Sequence, residues 1–123
     1  KTAFEGDFLV TVGLKPTFPH TGLGYLETTG EIQDGVFKVS SFKEKPDLDR
    51  AKEFLAKGNY FWNTGIYVWS VKTIFEAFAK HSPKISQSLE KIFECIGTEK
   101  EKETFLKVYE EAESLPIDTA VSE

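Results

Sequence analysis

The segment Phe42-Lys43-Glu44-Lys45-Pro46 places a charged pair at the end of a strand-like run, directly before a proline. Proline lacks a backbone N–H and therefore ends strand pairing, and ligands of α/β proteins bind at strand ends. Lys45 offers a compact cation that suits a phosphate, and Glu44 offers two acceptor oxygens that suit hydroxyl groups. The segment thus indicates a sugar-phosphate site. The alternative is a solvated ion pair at the end of a strand.

The composition restricts the class of protein. The chain has 123 residues, 40% of them apolar, which is the size of one domain with a modest core. A net charge of −5 without a block of Lys or Arg argues against a nucleic-acid partner. The single Cys95 cannot form an internal disulfide and is interpreted as core packing in a reducing compartment. No apolar run reaches about 18 residues, so we expect a cytoplasmic protein without a membrane partner.

Hydrophobic patterns predict an α/β fold. The apolar run Phe8–Leu14 and the run Gly65–Trp69 are each predicted to form a strand buried on both faces, as in a mostly parallel sheet. Asp34-Gly35, between two alternating runs, predicts a β-hairpin. The alternation shifts near Ser40-Ser41, which predicts a bulge there.

Helical periodicity predicts four helices. Asp47 and Ser70 are predicted to cap the first two, and Gly58 is predicted to end the first. Thr98 and Glu101 have the spacing of a capping box for the fourth. The helices are predicted to begin near Leu48, Val71, Pro83 and Glu99.

Three further residues could belong to a site. Gly24 could let the backbone approach a ligand, or could simply form a turn. Asn63 carries a donor and an acceptor that suit a sugar hydroxyl, although a residue at a strand entry is an equal interpretation. Asp118 follows a loop containing a proline, where it could reach a metal ion that holds phosphates; the alternative is a helix cap.

Five motifs together resemble those of the mannose-1-phosphate guanylyltransferases (GDP-mannose pyrophosphorylases), and the similarity runs nearly end to end. The motifs are Val12–Thr17, Thr21–Glu27, Phe42–Pro46, Gly58–Tyr67 and Ile117–Glu123. The resemblance implies a Rossmann-like nucleotidyltransferase domain in which the sugar phosphate attacks the α-phosphate of GTP and pyrophosphate leaves, with Mg²⁺ neutralising charge.

The resemblance also implies roles for individual residues. Glu44 and Asn63 would bind hydroxyls of mannose 1-phosphate beside the backbone of Gly24. Lys45 would hold the sugar phosphate, and Asp118 would be one of two aspartates that bind Mg²⁺. Lys45 and Asp118 are therefore the predicted catalytic residues.

The similarity covers one part of the family's domain. Residues 1–123 resemble the C-terminal, sugar-phosphate-binding part, and nothing matches the Gly-rich N-terminal part that binds the nucleotide. We therefore expect a partial Rossmann-like fold, with a mixed sheet, a β-hairpin and flanking helices, and no transferase activity from this chain alone. An incomplete sheet exposes an edge, so a homodimer is a further hypothesis. Two alternatives stay open: an enzyme for another sugar 1-phosphate, and a non-catalytic sugar-binding or assembly module.

Overall fold

The computed structural model describes residues 1–121, and the chain divides into two compact units. The first unit, Lys1–Val68, comprises α1 (Thr2–Glu5), β1 (Val10–Leu14), β2 (Tyr25–Gln33), β3 (Val36–Lys43), α2 (Leu48–Lys57) and β4 (Tyr60–Val68). The second unit begins at Trp69; its described helices are α3 (Val71–His81), α4 (Pro83–Cys95), α5 (Glu101–Glu111) and α6 (Ile117–Val121). Ser122 and Glu123, which end the last motif, lie outside the described residues.

The four strands form one sheet in the order β1-β4-β2-β3, which confirms the α/β class. The sequence predicted a mixed sheet, but each pairing among residues 1–121 is antiparallel. Helix α2 returns the chain so that β4 runs in the same direction as β3. Because β2 lies between these two strands, the direct neighbours remain antiparallel.

The predicted hairpin and its bulge are both confirmed. Strands β2 and β3 are joined at Asp34-Gly35, where Gly35 adopts the positive φ that the turn requires. Ser41 lies opposite Glu27 while Val39 lies opposite Thr28, so Ser40 is the extra residue. The bulge re-aims the end of β3, where the Glu44-Lys45 pair follows.

Helix α2 covers one face of the sheet and creates the core of the first unit. Asp47 caps its first turn by accepting a hydrogen bond from the Arg50 N–H at 2.9 Å, and Gly58 ends it in the left-handed conformation, both as predicted. The Phe54 ring stacks on Tyr60 with a centroid separation of 4.1 Å. The buried cluster consists of Tyr25, Ala51, Phe54 and Tyr60.

The predicted starts of the first three long helices agree with α2, α3 and α4. Ser70 caps α3 by accepting from the Thr73 N–H at 3.1 Å. The predicted capping box on α5 is wrong. The Thr98 hydroxyl instead donates to the Cys95 carbonyl at 2.6 Å, and the Glu101 carboxylate accepts from the Gly97 N–H at 2.7 Å, so the helix begins at Glu101.

The two strands predicted to be buried on both faces are more exposed than expected. Strand β1 pairs only with β4 in the described sheet, and its Leu14 side chain is 55% exposed. Strand β4 begins at Tyr60, before the predicted start at Gly65, and becomes exposed in its second half. An apolar run indicates that a strand can be covered, whereas its actual cover depends on which elements pack against it.

Candidate functional site

Three of the predicted site residues lie in a row across three neighbouring strands. The Asn63 N–H donates to the Gly24 carbonyl at 2.8 Å, which joins β4 to the residue that precedes β2. On the other side, a Cβ at Gly24 would lie 3.2 Å from Glu44 Oε2, just beyond the end of β3. Residues opposite each other on paired strands project to the same face, so Asn63, Gly24 and Glu44 share one face of the sheet. We call these three residues the site row.

Gly24 is the residue of the site row without a side chain. It is buried, and a Cβ added there would lie only 2.7 Å from two atoms of the Phe42 ring. No larger side chain fits this position unless the ring moves. The turn interpretation of Gly24 is therefore incomplete, because the absence of a side chain leaves room for the Phe42 ring and the Glu44 carboxylate.

Glu44 and Lys45 form an ion pair at the end of β3. Lys45 Nζ lies 3.3 Å from Glu44 Oε1, and the Lys45 and Glu44 side chains are 63% and 51% exposed, respectively. The pair is therefore solvated, in agreement with the alternative interpretation of this segment as a solvated ion pair at the end of a strand. A surface pair of this kind contributes little stability, about 0 to 1 kcal/mol, so stability alone does not account for the arrangement.

The backbone of Lys45 has a positive φ of 34°, and Lys45 is the one non-glycine residue in this region among residues 1–121. Such a conformation costs of order 1 kcal/mol for a side chain with a Cβ, and strained residues of this kind cluster at ligand sites. Pro46 follows immediately and restricts the backbone further. The backbone turns at Lys45 between the end of β3 and the start of α2, and the Lys45 ammonium lies beside Glu44.

Asn63 lies inside β4 rather than at a strand entry, and it is only 9% exposed. Its Oδ1 atom accepts hydrogen bonds from the Thr11 hydroxyl at 3.1 Å and from the Gly65 N–H at 3.2 Å. Because the amide is anchored through its oxygen on both β1 and β4, its orientation over the sheet is defined by the fold.

Asp118 belongs to the second unit, where it lies in the first turn of α6. The predicted alternative of a cap before the helix does not apply, because α6 already begins at Ile117. Its convergence with the site row stays a prediction. Among residues 1–121, no group of three or more His, Cys, Asp or Glu side chains is arranged to hold a metal ion.

An open cavity of about 700 Å³ lies on the same face of the sheet as the site row. Its walls are mainly apolar and include Leu26, Phe37 and Phe61, with Thr11 and Gly13 on its β1 side. Glu44, Lys45 and Asn63 do not line it. The cavity therefore adjoins the row without being the same feature.

Comparison with known proteins identifies the family. The model of the nucleotidyl transferase family matches residues 2–106 of this chain. The chain belongs to the nucleotidyl transferase family.

Individual members of the family show how much of the protein is covered. The chain is 33% identical to the mannose-1-phosphate guanylyltransferase of Sinorhizobium fredii over 98% of its own length and 24% of the relative's. It is 34% identical to the mannose-1-phosphate guanylyltransferase of Escherichia coli over 88% of its length and 23% of that protein. The solved structure of a mannose-1-phosphate geranyltransferase from Thermus thermophilus matches with a TM-score of 0.84 at 33% identity, over 99% of this chain and 34% of that one.

These comparisons confirm the nucleotidyltransferase fold that the motifs indicated. The chain spans about a quarter of the length of these two curated relatives. None of the helices in residues 1–121 combines the length and apolarity needed to cross a bilayer.

Two features of the site row were not predicted from the sequence. One is Thr11, a polar residue within an otherwise apolar strand, which contacts Asn63. The other is the irregular segment of β4 around Gly65, whose φ of +71° belongs to the left-handed region. A glycine inside a strand pattern is a signal for such a bulge, and it was available in the motif Trp62-Asn63-Thr64-Gly65.

Glu27 carries a shifted pKa on the opposite face of the sheet. The hydrogen bond that Ser41 donates to its carboxylate at 2.8 Å is the largest cause of the lowered pKa, followed by the hydrogen bond with Tyr60. Desolvation opposes this, and the charges of Lys57 and Lys43 add to the lowering. Burial and the same contact raise the pKa of Tyr60.

The lowered pKa of Glu27 predicts a pH dependence of stability. The folded state binds the proton more weakly than the unfolded chain, whose glutamate titrates at about pH 4.3. The contribution is therefore complete above that pH and is lost as the pH falls through the folded-state pKa. Glu27→Gln should flatten the acid side of a plot of thermal midpoint against pH, below about pH 5. Glu31→Gln is the control; an equally flattened profile there would contradict the assignment.

Proposed function

We propose that this chain forms the sugar-phosphate-binding part of an enzyme that makes GDP-mannose from mannose 1-phosphate and GTP, with release of pyrophosphate. The observation that carries the proposal is the site row, in which Asn63 and Glu44 flank Gly24. Membership of the nucleotidyl transferase family supports it, as does the similarity to two proteins named mannose-1-phosphate guanylyltransferase.

The site row suits a sugar ring. A pyranose presents hydroxyl groups around a partly apolar ring, and in the site row two polar side chains lie on either side of Gly24, where they could meet such hydroxyls. The Glu44 carboxylate accepts hydrogen bonds from hydroxyls, and the NH2 group of the Asn63 amide is a donor. Polar groups on both sides of the glycine would therefore orient the sugar.

Lys45 would neutralise the phosphate of the bound sugar. Its ammonium already lies 3.3 Å from Glu44, so a sugar whose hydroxyl bonds to Glu44 brings its phosphate within reach of Lys45. Exchanging a partner in a solvent-exposed pair costs little, since such pairs are weak. Lys45 would then hold the phosphate group while its oxygen attacks the α-phosphate of GTP, a positioning role typical of phosphoryl transfer.

Mg²⁺ is the cofactor that this reaction implies. When bound, it neutralises the charge that develops on the phosphates. Asp118 is the carboxylate we assign to it, as one of the two aspartates that the resemblance implies; Mg²⁺ is commonly held by one or two carboxylates together with substrate phosphates. In this assignment Asp118 holds the ion and Lys45 holds the sugar phosphate.

The proposal places residues 1–123 in the C-terminal part of a nucleotidyltransferase domain, with the nucleotide held by an N-terminal part. A cytoplasmic location belongs to the proposal and is supported by the single cysteine, which suits a reducing compartment. The homodimer stays a prediction, and β1 and β3 are the outer strands of the described sheet through which it would form.

The full-length gene product that contains this chain should form GDP-mannose when given GTP and mannose 1-phosphate. We expect weaker activity with glucose 1-phosphate in place of mannose 1-phosphate, and with ATP in place of GTP. Separation of the nucleotide sugars by ion-exchange chromatography measures all four combinations. The purified 123-residue chain, assayed in parallel, should give no product.

Each other outcome of this assay has a definite meaning. A preference for glucose 1-phosphate would replace mannose by another sugar. If no combination gives product while titration calorimetry detects binding of mannose 1-phosphate, a non-catalytic sugar-binding module is favoured. Turnover by the 123-residue chain itself would contradict the assignment of the nucleotide site to another part of the protein.

A further inference from the structure

Thr11 is the residue through which β1 contacts the site row. Its hydroxyl lies 3.1 Å from Asn63 Oδ1 and 3.2 Å from the carbonyl oxygen of Ile66. A hydroxyl carries one proton, so these two acceptors share it. Both acceptors belong to β4, and they flank the segment in which that strand departs from regular pairing.

Strand β4 is irregular between these two contacts. Thr11 pairs with Tyr67 and Gly13 pairs with Asn63, so four steps along β4 correspond to two along β1. The positive φ of Gly65 makes this bulge possible, and it turns the Gly65 N–H toward Asn63 Oδ1 at 3.2 Å. Because an N–H can only donate, the atom that faces it is the amide oxygen, and the orientation of the Asn63 amide follows.

We propose that Thr11 is a positioning residue for sugar-phosphate binding: its hydroxyl holds the Asn63 amide in the orientation that the ligand needs. The inference rests on the proposed function, because that function gives Asn63 its role in the site row. It extends the function to a residue on a different strand. Bulges beside binding sites commonly change the direction of one side chain. Thr11 would keep the Asn63 side chain in the direction that the bulge gives it.

The side chain of Thr11 is well placed for this role and poorly explained by packing. It is half-buried on an outer strand, where a hydroxyl could equally be solvated. Valine has nearly the same shape, so Thr11→Val removes the hydrogen bonds while keeping the β-branched side chain that suits a strand.

In the full-length gene product, Thr11→Val should raise the Kd for mannose 1-phosphate about fivefold, the loss expected for one neutral hydrogen bond. The Kd for GTP should stay unchanged. Titration calorimetry measures both constants, and the thermal midpoint reports whether each variant is folded. Thr11→Ser keeps the hydroxyl and should restore the affinity for the sugar phosphate.

A double-mutant cycle with Asn63→Ala separates positioning from general stability. If Thr11 acts through Asn63, then Thr11→Val adds nothing to the loss already caused by Asn63→Ala. If Thr11→Val does not fold, the pair Thr11→Ser and Thr11→Ala gives the same comparison, because only serine keeps the hydroxyl.

The results distinguish failure of the inference from failure of the proposed function. If Asn63→Ala weakens binding while Thr11→Val binds like the wild type, the positioning role is wrong and the site stands. Equal losses with Thr11→Val and Thr11→Ser would also overturn the role, because the hydroxyl would then be irrelevant. If Asn63→Ala leaves the Kd unchanged, the site row itself is wrong and the role of Thr11 is lost with it.

Discussion

Replacing Lys45 by methionine is expected to weaken mannose 1-phosphate binding about 10- to 100-fold, the range for loss of a hydrogen bond to a charged group. Methionine keeps a long, flexible side chain and removes the charge. The ammonium is exposed and its ion-pair partner Glu44 is exposed as well, so the substitution disturbs no buried ion pair. Calorimetry with the full-length gene product measures the Kd, and the GDP-mannose assay measures the accompanying loss of kcat/KM.

Two further variants separate binding from stability. Lys43→Met removes a nearby cation that acts on Glu27, which lies on the opposite face of the sheet, so the Kd should stay near the wild-type value. Lys45→Gly removes the ammonium but also relieves the strained φ of 34°, so it should lose binding without loss of thermal stability. If Lys43→Met and Lys45→Met weakened mannose 1-phosphate binding to a similar extent, Lys45 would act only through the general surface charge.

Local chemistry made several elements predictable from the sequence. A helix cap depends on one side chain and the N–H groups of the next turn, and this is why Asp47 and Ser70 were assigned correctly. The Asp34-Gly35 turn is likewise determined by residues adjacent in sequence. The Thr98–Glu101 pair has the spacing of a capping box, and the prediction was still wrong. Each side chain instead forms a hydrogen bond with the backbone at the end of α4 or in the turn after it.

Features that depend on distant pairing were not predictable in the same way. Whether β1 is buried depends on which strands flank it, and the run Phe8–Leu14 contains no information about that. The contact between Thr11 and Asn63 joins residues 52 positions apart, and it requires the register of β1 on β4. Within the site, the adjacency of Gly24, Glu44 and Asn63 was anticipated through family resemblance. The sheet order then supplies its physical basis.

Gly24→Val should abolish measurable mannose 1-phosphate binding and also lower the free energy of unfolding by about 1 to 3 kcal/mol, the cost of overpacking. The Cβ alone would lie 2.7 Å from the Phe42 ring, well inside van der Waals contact, and 3.2 Å from Glu44 Oε2. The Phe42 ring must move, and the Glu44 carboxylate, which would bind the sugar hydroxyls, must shift as well. Calorimetry and chemical denaturation measure the two effects separately.

Gly30 is the matched control, since it lies in β2, the strand that Gly24 directly precedes, with no atom within 4 Å of an added Cβ and no positive φ. Gly30→Val should therefore leave the Kd unchanged and the stability the same or slightly higher, because glycine is a poor strand residue. Gly24→Ala gives an intermediate case, in which a small shift of the Phe42 ring could relieve the contact while Glu44 stays in place. If Gly24→Ala retained full affinity and Gly24→Val lost only stability, the sugar would not approach the backbone at this position, and the site row would have to be replaced by a site elsewhere on the sheet.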